Sequence, residues 1–191
     1  MPKLKPETAA ARKIHILEAA FTCFSRNSYQ QTTTDDIVQE AGLSKGSVYS
    51  HFSSKFEIFK EMFLVLSQRD ATQLKELVKE SASIEERLEN LFHFVREGEN
   101  EILQFIFLTY EFYQLREANE DDDFIRTTVA NYREAMMALS GLPRDLALMV
   151  YSTIDGLIMQ RFFAPDQVDL DAQLVLLKKM IINQMEAYSE G

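Results

Sequence analysis

TTTDDIVQEAGLSKGSVYSHFSSKFEIF, Thr32 to Phe59, alternates polar and apolar residues in a way that fits two short helices, a tight turn between them and the start of a long third helix. Thr33 stands as an N-cap, since its hydroxyl can accept a free backbone N–H and Asp36 three residues on can reach back, a capping-box arrangement. Asp35 and Asp36 also suit the positive start of a helix. Ile37, Val38 and Ala41 make an apolar face, and Gly42 follows where the chain must turn, a position expected at positive φ. Leu43 is expected to pin the turn to the core. Ser44 caps the next helix, in which Val48 and Phe52 point inward while Lys45, Ser47, Tyr49 and Ser50 point outward. Ser54 with Glu57 repeats the capping pattern, and Phe56, Ile58, Phe59, Met62 and Phe63 carry a long helix onward. This layout suits placing one short helix in the major groove of DNA.

Upstream lies a first helix with the pattern Ile16-Leu17-x-Ala19-Ala20-x-x-x-Phe24, then Tyr29, Thr32 and Thr33. Together with Ile37, Ala41, Gly42, Leu43, Ser44, Lys45, Gly46, Val48, Tyr49, His51, Phe52, Ser54 and Lys55, these residues make the segment from about Arg12 to Phe63 resemble the TetR family of bacterial transcriptional repressors. Two positions depart from the family pattern: Ser28 stands where glycine is frequent, and Thr34 where an apolar residue is common. Neither lies on the presumed reading helix, so both bear on local packing. The bland alternative is a generic three-helix structural unit.

The chain has 191 residues, 46% of them hydrophobic, with only six glycines and four prolines. That is enough apolar material for a real core and too few turn residues for a β-rich fold. Residues 1 to 15 are polar and basic, and nothing later approaches eighteen unbroken apolar residues, so neither secretion nor a membrane span is expected and a cytoplasmic location is. Cys23, inside an apolar run, reads as a buried small hydrophobe. The net charge of −10 is segregated: residues 1 to 60 carry eight Lys/Arg against six Asp/Glu, net +2, and the remainder twelve against twenty-four, net −12. A mildly basic end can meet phosphates, but one +2 module binds weakly, which asks for two copies.

Residues 1 to 10, with Lys3 and Lys5, read as a flexible arm. Helices are expected over Thr8 to Arg26; over an uninterrupted Ser54 to Ser83, on the order of 40 Å; from a capping box at Ser83 and Glu86 to Gly98; and over the run Glu101 to Leu115, apolar on nearly every face. Asn119 to Asp123 reads as an acidic solvated connection. A helix through Phe124, Tyr132 and Leu139 stops at Gly141, Pro143 opens one reaching Phe163, and a last one spans about Asp169 to Tyr188. With the two short ones, that makes nine. The fold class expected is all-α: a helix-turn-helix domain over 1 to 53 joined to a larger helical ligand-binding and dimerisation domain over 54 to 191.

For DNA, Lys45 and Ser47 are candidates for base edges, with Gly46 allowing close approach and Ser44 capping the reading helix from Ser44 to His51. Thr33, Thr34, Tyr49, His51 and Lys55 suit phosphate oxygens, with interhelical packing the alternative for Tyr49 and His51. For a ligand pocket, the dense aromatics and methionines single out Phe92, Phe105, Tyr110, Tyr113 and Met137, with Glu111 and Asp155 among apolar neighbours. The effector expected is small and hydrophobic or amphipathic. Leu146, Val150, Ile154, Leu157, Leu174, Leu177 and Ile181 offer more apolar surface than one chain covers, as at the usual dimer site of the resembled family; an ordinary intrachain core is the alternative. No phosphate loop, nucleophile elbow, metal-ligand spacing or cofactor motif is present, and His15, His51 and His93 are far apart. The expected partners are operator DNA, a small-molecule effector and a second copy. The rival readings are an architectural or adaptor DNA binder and, as outsider, a helical enzyme.

Overall fold

The computed structural model describes residues 8–81, 83–114 and 118–189. Among them are nine α-helices and no strand: α1 Ala9–Gln31, α2 Thr34–Ala41, α3 Lys45–Tyr49, α4 Lys55–Val78, α5 Ile84–Glu97, α6 Glu99–Gln114, α7 Ala118–Ser140, α8 Arg144–Phe163 and α9 Leu170–Ser189. The expected arm lies largely outside the described residues. Packing divides the chain into two compact units. The first takes the described residues up to Ser67 with Phe107–Thr128, and the second takes Gln68–Ile106 with the described residues from Val129 onward. The division falls inside α4, α6 and α7.

The first unit is built around Ile16, Leu17, Phe24, Ile37, Val48, Phe52, Phe59 and Phe63, all nearly or fully buried. Phe59 stands 4.7 Å from Tyr29, 5.5 Å from Phe24 and 5.8 Å from Phe112, ring centre to ring centre, so aromatic contacts tie α1, α4 and α6 together. His15 Nε2 lies 2.8 Å from the Ala41 carbonyl and joins α1 to the end of α2. The first helix does not end at Arg26: it continues to Gln31 through a break at Ser28, φ 68° and ψ 162°. That region is open to glycine without penalty and costs other residues energy, which gives the departure at Ser28 its physical meaning.

Two side chains grip the backbone beyond this break. Glu111 accepts hydrogen bonds from the N–H groups of Tyr29 (2.8 Å) and Gln30 (3.0 Å). Lys55 Nζ donates to the carbonyls of Tyr29 (2.8 Å) and Thr32 (2.9 Å), and lies 4.2 Å from the Tyr29 ring centre.

The second unit is built around Leu74, Leu88, Phe92, Ile158 and Leu174, all nearly or fully buried. Ion pairs lace α5 to α9: Arg96 meets Asp171 at 2.6 Å, and Lys178 meets Glu89 at 2.9 Å. Lys178, beside Glu89, holds that carboxyl below its usual range. Asn119 to Asp123 is not a connection but lies in the opening turns of α7. Acidic residues suit the positive end of a helix, and no glycine or proline prevents its extension.

Candidate DNA interface and body cavity

The α2–α3 pair is set by its caps. Thr33 Oγ1 accepts from the Asp36 N–H at 3.2 Å, and Asp36 Oδ2 accepts from both the Thr33 hydroxyl and its N–H at 2.7 Å. Those bonds, the hydroxyl's first, hold the Asp36 carboxyl below its ordinary range. Gly42 takes φ 63°, ψ 27°, ending α2, and Ser44 Oγ accepts from the Ser47 N–H at 3.2 Å to start α3. Val48 and Phe52 are buried beneath. Above them Lys45, Gly46, Tyr49 and Ser50 face solvent, Tyr49 with 51% of its surface exposed. No atom comes within 4 Å of where a Gly46 Cβ would stand, so the backbone there is open to a partner. Lys45 is not idle: its Nζ donates to Asp35 Oδ2 at 2.7 Å, and that bond raises its pKa. The helix expected from Ser44 to His51 is five residues long, α3, with Ser50 and His51 forming the turn that leaves it.

Within the second unit a cavity of about 50 Å³ is lined from α4 by Asp70, from α5 by Leu91, Phe94 and Val95, and from α6 by Ile102, Phe105 and Ile106. Tyr132, Met136, Met137 and Ser140 of α7 complete it with Ala147, Val150, Tyr151, Ile154 and Asp155 of α8. Burial pushes the Asp155 carboxyl up to about 6 and raises Asp70 as well. A wider groove of about 480 Å³ runs between α8 and α9, lined by Leu146, Met149, Val150, Leu157, Leu176, Leu177, Met180 and Ile181 with polar residues at its margins.

Residues 16–62 match the family model described as bacterial regulatory proteins, tetR family. The HTH-type transcriptional regulator AcrR of Shigella flexneri is 30% identical over 199 aligned positions, covering 88% of this chain and 86% of AcrR. This chain belongs to the TetR family. Two other curated relatives, 44% and 31% identical, are matched over only 30% and 47% of their lengths. Among solved structures, the fold is shared with a transcriptional regulator from Saccharomonospora viridis in complex with choline (TM-score 0.70, 20% identity, 91% of this chain and 96% of that one). It is also shared with FadR of Bacillus subtilis in complex with stearoyl-CoA (TM-score 0.66, 22% identity, 88% and 96%).

In this TetR-family chain the residues singled out from sequence fall into distinct places. Ser44, Lys45, Gly46, Ser47 and Tyr49 come together on α3, and Thr33 and Thr34 stand at the start of α2. The Lys55 ammonium donates to the carbonyls of Tyr29, in α1, and of Thr32, just after it. Phe105, Met137 and Asp155 line the cavity. Phe92 is core, Tyr110 is 67% exposed, Tyr113 is exposed, and the Glu111 carboxylate is committed to Tyr29 and Gln30; none of these four lines the cavity. Leu146, Val150, Leu157, Leu177 and Ile181 line the groove, whereas Ile154 faces the cavity and Leu174 is fully buried.

Sequence reasoning missed Asp35 as the Lys45 partner, Leu176 and Met180 in the groove, and Asp70 and Tyr151 in the cavity. One signal was available: Tyr151 and Asp155 are i, i+4 on α8 and share a face. Among the described residues no helix is long and apolar enough to cross a membrane, and no group of three His, Cys, Asp or Glu is placed to hold a metal.

Proposed function

We propose that the protein is a homodimeric DNA-binding transcriptional repressor, released from a roughly palindromic operator by a small hydrophobic or amphipathic ligand, and that it acts in the cytoplasm. The observation that carries the DNA reading is α3: a capped helix, anchored by Val48 and Phe52, with Lys45, the open Gly46 backbone and Tyr49 turned to solvent. In this reading residues 1–53 meet DNA and residues 54–191 bind ligand and dimerise. The α8–α9 groove, with Met180 60% exposed, supports the second copy. Two such subunits put reading helices about 34 to 36 Å apart, on successive turns of the duplex. The cavity supports the effector, and solved neighbours of the same fold hold ligands as different as choline and stearoyl-CoA.

Selecting bound fragments from random duplex DNA tests the function. The expected result is an enriched inverted repeat; binding without sequence preference at low salt ends this reading. Lys45→Ala should then lower affinity for the selected site by roughly ten- to a hundredfold if it reads a guanine. The modest cavity, about 50 Å³, supports a second reading in which the same front end serves an adaptor with no small-molecule effector. Calorimetry with and without operator separates the two, since a ligand that binds both forms equally is no inducer.

A further inference from the structure

Five oxygen-bearing side chains, Asp70, Tyr132, Ser140, Tyr151 and Asp155, line a cavity whose other walls are apolar, among them Phe94 and Phe105. Asp70 has a cation of its own: Arg69 stands 3.2 Å from Asp70 Oδ1 and 2.8 Å from Glu101 Oε2. Asp155 makes no ion pair or hydrogen bond among the described residues. A second, polar cleft of about 270 Å³ shares Asp70, Phe94 and Ile102 with the cavity and adds Glu97 and Glu101, so that three carboxylates face the single Arg69. A cleft lined in this way concentrates cations and repels anions next to the cavity wall. Inside, a half-dehydrated carboxylate without a partner gains most from a positive charge, and ring walls favour the same ligand.

We propose that this cavity takes a small organic cation, a protonated amine or a quaternary ammonium, with the Asp155 carboxylate as its counter-charge. The proposal rests on the effector reading above and narrows it. At about 50 Å³ the cavity admits a small head group, and longer tails need Met136 and Met137 to move. Burial holds the Tyr132 and Tyr151 hydroxyls neutral, Arg133 of α7 acts on Tyr151 without, among the described residues, an ion pair to Asp155, Arg69 pairs with Asp70, and α5 and α6 present apolar side chains to the cavity. Between pH 5 and 7.5, therefore, cation binding should strengthen as Asp155 loses its proton near 6.

Calorimetry on the full chain, without DNA, with isobutylammonium, isobutanol and isobutyrate compares charge at nearly constant shape. The cation is expected to bind about tenfold tighter than the alcohol, the margin between charge-assisted and neutral hydrogen bonds, with isobutyrate silent. Asp155→Asn should bring the cation down to the level of the alcohol. Equal or better binding of the alcohol, binding of none of the three, or a preference that survives in folded Asp155→Asn overturns the proposal. Should that variant fail to fold, the cation-to-alcohol ratio of the unaltered chain and its fall at pH 5 decide alone. Repeating the titration on the chain bound to selected DNA separates the two ideas. A cation preference without DNA release removes the effector reading and leaves the site, whereas DNA selection without cation preference removes only the site.

Discussion

Ser28 holds a backbone conformation that favours glycine, and it does so inside a ring of restraints: Glu111 on the two N–H groups that follow, Lys55 on the Tyr29 and Thr32 carbonyls. Removing the Cβ relieves the strain while leaving the clamps in place, so Ser28→Gly should stabilise the chain by about 1 to 3 kcal/mol in urea unfolding. Asp35 acts at a distance from the fold. If Lys45 contacts DNA as proposed, its bond to Asp35 competes with that contact, and Asp35→Asn should raise DNA affinity roughly twofold to fivefold at low salt, as anisotropy titrations would show. Asp155 makes a pH prediction with a definite sign. Its folded-state pKa, about 6, stands above the unfolded value near 4, so the folded chain binds the proton better between these limits. Stability from the protonated form is present below that window and lost as pH rises through it. Asp155→Asn, which keeps the shape without the charge, should therefore be more stable than the parent by about 1 to 2 kcal/mol at pH 7.5, once partial solvation is allowed for, and no more stable at pH 3.5. Urea midpoints at the two pH values check this.

Among the elements, α6 joins the two chemistries of the chain. Its first half gives Ile102, Phe105 and Ile106 to the cavity, and its second half gives Glu111 to the backbone beyond the α1 break. Glu111→Ala removes the acceptor of the half-buried Tyr29 N–H and leaves the exposed Gln30 N–H to water, should cost about 1 kcal/mol, and should speed amide exchange at Tyr29 and Gln30 before other amides of α1. A helix apolar on nearly every face is either buried all round or lines a cavity; α6 lines one through Ile102, Phe105 and Ile106, and leaves Tyr110 67% exposed beside a buried Leu108. A sequence that is apolar all round names no inward face. The short α3 is the opposite case. Five residues cannot hold a helix unaided, so its existence rests on the caps at Ser44 and on Val48 and Phe52, each visible locally.

For the molecule as a whole, the proposed dimer seats its second copy in the groove between α8 and α9. Met180, Leu176 and Met149 are exposed there, and none is needed to fill the chain's own core. Met180→Glu should give a folded monomer by sedimentation at micromolar concentration and weaken operator binding at least tenfold through loss of the second reading head. A dimer that persists unchanged would mean that the groove is not the interface. The same variant should leave the thermal transition of the second unit cooperative, because the substitution is at the surface.

The capped ends of α2 and α3, the positive φ at Gly42, the inward pair Val48 and Phe52, and the all-helical class were legible because each is settled by forces acting within one or two turns of chain. The family pattern was legible for the same reason: it is carried by contiguous residues. The other assignments needed contacts between distant positions. Lys55 is drawn to carbonyls more than twenty residues away, and Glu111 to N–H groups more than eighty away. Leu174 turns inward while Leu176 and Met180 turn out, although all three are apolar residues of one helix. Hydrophobicity says that a side chain seeks cover, but only the packing of the other helices determines which side the cover comes from.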